Sequence, residues 1–441
     1  MTDQQLLLKG GRVIDPQHSV DGVLDLLVAS GRIASIGPAL KADKAREVDV
    51  SGCVVAPGFV DLHSHLREPG FEQKGTIATE SEAAMGGGFT TICAMPNTDP
   101  PPDSAVEVAA LTDRFANNSA IRIFPIGCVT RGREGKEVAE LTELAEAGCV
   151  AFSDDGNPVA DARVMRNALL LAGALGIPLS EHSDEPSLSA GGAMNEGRVS
   201  ERLGLAGQPA ASEIAAIARN ITLSELTGAR IHIAHLTTAR GVELVAEAKA
   251  RGVPVTCEVT PSHLLLTESA VAGTGAEPDY NTNAKINPPL RTEEDRQGLI
   301  RGVNNGAIDA IATDHAPHAP EDKVCEFDRA AFGISCFDTA AATVLTLVSR
   351  GELTLTSALT ALTSGPSSAF GLDNRVPGLG TVGPGAPADL VVLRPDEEWT
   401  VRTESFASRG KNSPLDGAVL TGRVEAVVVG GMLSKATGGD C

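Results

Sequence analysis

The sequence predicts an α/β protein: a (β/α)8 barrel of TIM type, or on alternation alone a doubly wound parallel sheet, joined to a small β-sandwich domain built from both chain termini. Three observations carry this expectation. Residues 57–375 alternate apolar strand-like runs with helical stretches, which demands parallel strands with crossover helices. Residues 1–56 and 376–441 instead show short strands bounded by Gly and Pro. Within the middle region, apolar runs end in His or Asp, where the carboxyl ends of barrel strands carry active sites.

At the amino end, strands are predicted at 6–9, running into Gly10-Gly11, then at 12–14, 23–28 and 33–36. The carboxyl end returns to this texture at 388–393, 419–420 and 424–429. Neither end has enough strands to stand by itself, so the two are expected to pair as one β domain of residues 1–56 and 376–441, with the barrel at 57–375. Inside that span, strands at 121–124, 177–179, 231–234, 253–255 and 308–312 are separated by helices predicted at 136–147, 162–173, 211–226, 240–250 and 293–304. Met85-Gly86-Gly87-Gly88 lacks the Lys-Ser/Thr of a phosphate loop and is taken as a helix stop before a strand. No Gly-x-Gly-x-x-Gly opens a helix after the first strand, which argues against a dinucleotide fold. Residues 395–398 are acidic and predicted as a solvated turn, and the Gly/Pro-rich stretch 273–289 is a candidate lid.

Composition excludes several function classes. The 441 residues include 36 Lys and Arg against 57 Asp and Glu, a net charge of −21, with 42% apolar residues. An acidic chain without a basic block repels nucleic acid and anionic membranes. The eight cysteines are scattered singly with no Cys-x-x-Cys, as in a protein whose thiols are reduced and mostly buried. The longest apolar stretch, 168–177, is too short for a bilayer span, and Met-Thr-Asp-Gln-Gln lacks the features of a secretory signal. A soluble, cytoplasmic protein is expected.

Five apolar strands each end in a ligand-type residue: Phe59-Val60-Asp61-Leu62-His63-Ser64-His65, Val150-Ala151-Phe152-Ser153-Asp154-Asp155, Pro178-Leu179-Ser180-Glu181-His182, Ile231-His232-Ile233-Ala234-His235 and Ile311-Ala312-Thr313-Asp314-His315. In a barrel these ends converge on one face. His63 and His65 are two apart on a strand, so both side chains leave the same face and can hold one cation. Nitrogen and oxygen donors of this kind suit zinc, with manganese, cobalt and iron also compatible, and two metals sharing a carboxylate is the natural arrangement.

Pro57-Gly58-Phe59-Val60-Asp61-Leu62-His63-Ser64-His65 resembles the opening motif of the amidohydrolase superfamily. His65-Leu66-Arg67-Glu68-Pro69-Gly70, Met95-Pro96-Asn97-Thr98, Phe152-Ser153-Asp154-Asp155-Gly156, Ile286-Asn287-Pro288-Pro289-Leu290-Arg291 and Ala312-Thr313-Asp314-His315-Ala316-Pro317-His318 resemble the class I dihydroorotases, and the match extends to Gly383-Pro384-Gly385-Ala386-Pro387-Ala388-Asp389-Leu390. The resemblance implies two zinc ions, one held by His63, His65 and Asp155 and the other by Asp155, His182 and His235, bridged by Asp155 and a hydroxide. Relatives that bridge their metals with a carbamylated lysine have no counterpart here, because no lysine occurs between Ala139 and Ala248. Asp154 and Asp155 cannot point the same way, and the family pattern selects Asp155.

By the same resemblance Asp314 shuttles the proton between the attacking hydroxide and the departing ring nitrogen, and the reaction is the reversible cyclisation of N-carbamoyl-L-aspartate to L-dihydroorotate in pyrimidine (UMP) synthesis. The substrate carboxylate needs a fixed cation. Arg67 lies two residues beyond His65 and its guanidinium can grip a carboxylate in bidentate fashion. Asn97 and His318 are implied to complete that grip, with Asn287 and the backbone around Phe332-Gly333 touching the ring. The implied partners are this small molecule, a second copy of the chain in a homodimer, and aspartate carbamoyltransferase. Two rival readings are a hydantoinase or allantoinase, which Arg67 with Asn97 and the aspartate bridge oppose, and a non-catalytic scaffold, which the full ligand set opposes.

Other histidines have plainer explanations. His232, three residues before His235, is expected to face outward as a structural residue. His18 is a loop residue, His263 is a weaker candidate for lining the site, and His315 supports it. Asp61 is expected to hydrogen-bond behind a ligand rather than ligate.

Overall fold

The computed structural model describes residues 5–273 and 279–435. The amino-terminal strands are β1 (Leu6–Asp15), β2 (Val20–Ala29), β3 (Arg32–Gly37), β4 (Arg46–Asp49) and β5 (Val54–Pro57). The two strands expected on either side of Gly10-Gly11 are one: β1 runs through with a register shift between Leu8 and Gly11 against β2. Gly10, at φ +74°, takes the left-handed conformation this bulge needs, and its N–H donates to Asp25.

Eight parallel strands follow: β6 (Phe59–Ser64), β7 (Phe89–Ala94), β8 (Arg122–Gly127), β9 (Ala151–Phe152), β10 (Leu179–Glu181), β11 (Ile231–Ile233), β12 (Val255–Val259) and β13 (Ala310–Ile311). They are hydrogen-bonded in chain order, and a parallel bridge between Ser64 and His315 joins the last to the first, so the sheet closes as a barrel. The connecting helices are α1 (Ile77–Gly86), α2 (Ala105–Asn118), α3 (Leu141–Glu146), α4 (Ala162–Leu175), α5 (Ala210–Thr227), α6 (Ala239–Ala250), α7 (Glu293–Asn305) and α8 (Phe337–Ser349). Their starts are set by side-chain caps, such as Thr76 on α1, Asp161 on α4 and Thr292 on α7. The glycine run after Met85 stops α1 and opens β7, as expected. The helix expected from 136 begins only at Leu141, because the preceding residues are held extended by a bridge between Thr130 and Val138.

After α8 come α9 (Leu355–Leu362) and α10 (Ser364–Phe370), then β14 (Leu390–Thr400), β15 (Val419–Val429) and β16 (Met432–Lys435). These last strands join the amino-terminal ones in a second sheet of order β16-β15-β14-β5-β1-β2-β3, with β4 on β1. Leu26, Val28, Val55, Leu390, Val392 and Val428 share its core. The acidic run expected as a turn lies inside β14, where pairing with β15 slips between Arg394 and Glu398 and Glu397 accepts from Arg423. A register slip lets a polar run remain in a strand without burying its charges.

Two apolar cores flank the barrel wall. Outside it, Phe59, Phe89, Phe152, Ile231, Val255 and Ile311 meet the helices. Inside, Cys93, Met95, Ile126, Ala151, Ala310 and Ala312 pack with Phe370, Leu372 and Leu379, which stop the amino end of the barrel. No helix among the described residues is long and apolar enough to cross a membrane. Among them the cysteines are free, and Cys325 is exposed; Cys441 lies outside the described residues.

Candidate active site

The carboxyl ends of β6, β9, β10, β11 and β13 bring their polar residues to one place. Two groups emerge, His63 with His65 and Asp155, and Asp155 with His182 and His235, each with potential ligand atoms within 4.8 Å of one another and all buried. Asp155 Oδ1 is 3.4 Å from His63 Nε2, 3.4 Å from His235 Nε2 and 3.8 Å from His182 Nδ1, while its Oδ2 is 3.6 Å from His65 Nε2. One carboxylate therefore faces all four imidazoles. Its neighbour Asp154 points away, accepting from the Val129 and Thr130 backbone and the Thr130 hydroxyl.

The donor set fits a pair of cations on a structural observation. His63 Nε2 and Asp155 Oδ1 are buried without a hydrogen-bond partner, and an unpaired buried polar atom is costly unless something binds it. Burial pushes the Asp155 carboxyl up, but the imidazoles of His63, His182 and His235 facing it overcome this and hold the group well below its usual range. Asp314 Oδ1 lies 2.9 Å from His65 Nε2 and 3.5 Å from His63 Nε2. Burial raises its pKa too, and again His63 and His65 more than reverse the effect, leaving a carboxylate able to take a proton.

His65, Asp155, His182, His235 and Asp314 open onto a cavity of about 210 Å³ lined also by Arg67, Asn97, Ile286, Asn287, Phe332 and Gly333. Burial pushes Arg67 down to about 10, so it stays protonated at neutral pH. Its Nε donates to the Pro317 carbonyl at 3.1 Å, which fixes the plane of the guanidinium. Asn97 Oδ1 accepts from His65 Nδ1 at 2.9 Å, and Asn287 Nδ2 donates to His182 Nε2 at 3.2 Å. Gly333, at φ +138°, could not become alanine, because a Cβ there would lie 2.8 Å from that of Ala316. His318 is placed behind this wall: its Nε2 donates to the Phe332 carbonyl at 2.8 Å and sits 3.5 Å from Arg67 Nη2. Burial, helped by Arg67 and Lys323, pushes its pKa down to about 3, so it is neutral. Arg67, His235 and Asp314 all have positive φ, a strained backbone of the kind that collects at functional sites.

Several residues take other places than their sequence context suggested. His232 does not face outward: it is fully buried inside the barrel, bonded to Thr256 Oγ1 at 2.8 Å and Glu258 Oε2 at 3.1 Å. Strand β11 ends at Ile233 and His235 follows in a left-handed turn, so counting strand parity from His235 fails. His263 does not line the cavity; it packs beneath, joining Thr260 to the Pro288 carbonyl. His315 bonds Glu80, and Asp61 accepts from the Thr313 backbone and hydroxyl, both as supports. His18 pairs with Asp15 in its turn. Of the candidate lid, 274–278 lie outside the described residues, and the remainder carries Asn287 to the cavity wall. Glu258, Glu80 and Arg133, which donates to the Asp155 carbonyl, were not singled out by sequence. For Glu258 the available signal was one acid in the apolar run Val255-Thr256-Cys257-Glu258-Val259.

A closed parallel barrel whose strand ends gather four histidines around a shared aspartate defines a metal-dependent hydrolase of the amidohydrolase class. A model of dihydro-orotase-like proteins matches residues 52–241. Along nearly its whole length the chain belongs to the dihydroorotase family: it is 46% identical over 434 residues to a dihydroorotase of Anaeromyxobacter sp. (strain K), covering 98% of each. To a dihydroorotase of Solibacter usitatus (strain Ellin6076) it is 44% identical over 429 residues, covering 97% of each. Among solved structures, the L-hydantoinase (dihydropyrimidinase) from Arthrobacter aurescens matches with a TM-score of 0.88 at 25% identity, over 98% of this chain and 96% of that one.

Proposed function

We propose that the chain is a zinc-dependent dihydroorotase that interconverts L-dihydroorotate and N-carbamoyl-L-aspartate in pyrimidine synthesis. The observation that carries this reading is the half-buried Arg67 guanidinium on the wall of the same cavity onto which both His/Asp groups open. A cyclic amide bearing a carboxylate suits that pairing, and a hydantoin or dihydrouracil, which lacks one, leaves the cation unused.

His63 and His65 would hold one cation, His182 and His235 the other, and Asp155 both. Two divalent cations there supply an acidified water and a polarised amide carbonyl. Asp314 takes the proton of the attacking water at its carboxylate and returns it to the ring nitrogen, which must be protonated to leave. In the reverse direction it removes the proton from the ureido nitrogen. Arg67 pairs with the substrate carboxylate. Asn97, whose amide nitrogen is free of the bond to His65, adds a second donor, and His318 holds the Phe332 carbonyl beside them. Asn287, Phe332 and Gly333 frame the ring. The assembly belonging to this reading is a cytoplasmic homodimer that associates with aspartate carbamoyltransferase, which light scattering of the chain with and without that partner checks.

The deciding experiment is turnover by zinc-loaded protein of dihydroorotate, in both directions, beside dihydrouracil and hydantoin, with metal analysis of the same sample. Turnover of dihydroorotate alone, at two metal equivalents, supports the assignment. Faster turnover of hydantoin overturns it.

A further inference from the structure

Beneath the two His/Asp groups, a line of buried polar side chains runs down the barrel interior from β12 to β11. Glu258 is 1% exposed. Its Oε1 accepts from His63 Nδ1 at 2.8 Å and from the His235 backbone N–H at 3.4 Å. Its Oε2 accepts from His232 Nε2 at 3.1 Å, and His232 Nδ1 in turn accepts from the Thr256 hydroxyl at 2.8 Å. The ring of Phe370 closes the line, edge-on to His232 at 5.0 Å.

We propose that Glu258, braced by His232, is the positioning residue of the metal cluster, setting the orientation and tautomer of His63 and anchoring the turn that carries His235. The inference rests on the reading of His63 and His235 as metal ligands. A neutral imidazole has one N–H. Once Nδ1 of His63 donates to Glu258, its Nε2 carries the lone pair, and that is the buried, unpartnered atom facing Asp155. A carboxylate behind a ligand histidine fixes the ring and raises its basicity. Here the same carboxylate also holds the backbone of His235, a residue at φ +32°, so it touches one histidine of each group. Charge points the same way. Two divalent cations bring four positive charges, which Asp155 and Asp314 only half offset, and Glu258 adds a buried negative charge one imidazole away. His232 serves Glu258 in turn: without it, Oε2 would be a charged oxygen buried without a donor.

The test is metal binding, read independently of any substrate. Chelator-stripped protein is titrated with cobalt(II), following its visible absorption and the bound equivalents, with zinc(II) as competitor. Glu258→Gln keeps the shape and an acceptor but loses the charge, and its affinity at the site holding His63 is expected to fall about 10- to 100-fold. His232→Gln retains an N–H that can reach Glu258 and is expected to bind near wild type, whereas His232→Leu, which fills the apolar space better, is expected to lose several-fold. Wild-type affinity in Glu258→Gln overturns the proposal. Should that variant fail to fold, the His232 pair decides, and equal affinity of the Leu and Gln variants overturns it. A wild-type chain that takes up no cobalt overturns the ligand reading and this inference together, whereas turnover of the wrong cyclic amide overturns only the proposed function.

Discussion

The two ends of the barrel are made by the same eight strands and solve opposite problems. At the amino end, Phe370, Leu372 and Leu379 fill the interior beneath Cys93, Met95 and Ile126 as an apolar cluster. At the carboxyl end the interior holds histidines and carboxylates, with His63 Nε2 and Asp155 Oδ1 unpartnered and three residues in left-handed backbone. The closed end supplies stability by removing apolar surface from water, and the open end gives some of it up to hold polar atoms aimed at a ligand. Division of labour of this kind lets an active site be strained without unfolding its scaffold.

The division can be broken by substitutions at either end. Asp155→Ala, which removes the carboxylate common to both groups, is expected to lower turnover on the order of a thousandfold and to empty the site, read by metal analysis. Retention of both equivalents would mean that the open end is not arranged around this residue. Arg67→Ala should raise the KM for dihydroorotate by roughly 10- to 100-fold, the worth of a hydrogen-bonded charge pair, with metal content unchanged. An unaltered KM would remove the carboxylate grip.

Leu372→Ala, at the closed end, leaves a cavity and should cost about 2 to 5 kcal/mol in denaturant unfolding while kcat/KM stays at the wild-type value. A loss of activity without a loss of stability would show that the ends are not separable. A further effect concerns Lys323, buried behind the cavity wall, where its Nζ donates to the carbonyls of Thr282, Lys285 and Ala331. Burial pushes it down to about 7. Between that value and the ordinary lysine range the unfolded chain binds more protons than the folded one, so this group makes stability rise with pH, by at most ~1.4 kcal/mol per unit. Lys323→Met should flatten that rise, measured as the difference in Tm between the two proteins from pH 7 to 10.

Most of the open end was legible because its residues announce themselves at strand ends: His-x-His after Phe59-Val60, and single His or Asp after the apolar runs of β9, β10, β11 and β13. The supports behind them were not. Glu80 meets His315 across 235 positions, and Glu258 meets His63 across 195, separations at which no local pattern speaks. His232 was misplaced for a definite reason, since parity holds only while the strand lasts and β11 ends two residues before His235. The terminal strands were found by composition, yet β4, β5 and β16 are too short and mixed to stand out, and β5 is the one that joins the two ends of the chain.

That joining has a consequence in time. Leu393, Val392 and Val391 of β14 pair with Val54, Val55 and Ala56 of β5, so a seam of the terminal sheet lies between residues made before the barrel and residues made after it. While the intervening barrel is being made, one edge of β5 has no strand to bond and exposes a row of apolar residues. The terminal sheet is thus begun before the barrel and closed only after it, and a nascent chain stalled inside the barrel would carry an open edge of the kind that recruits other chains.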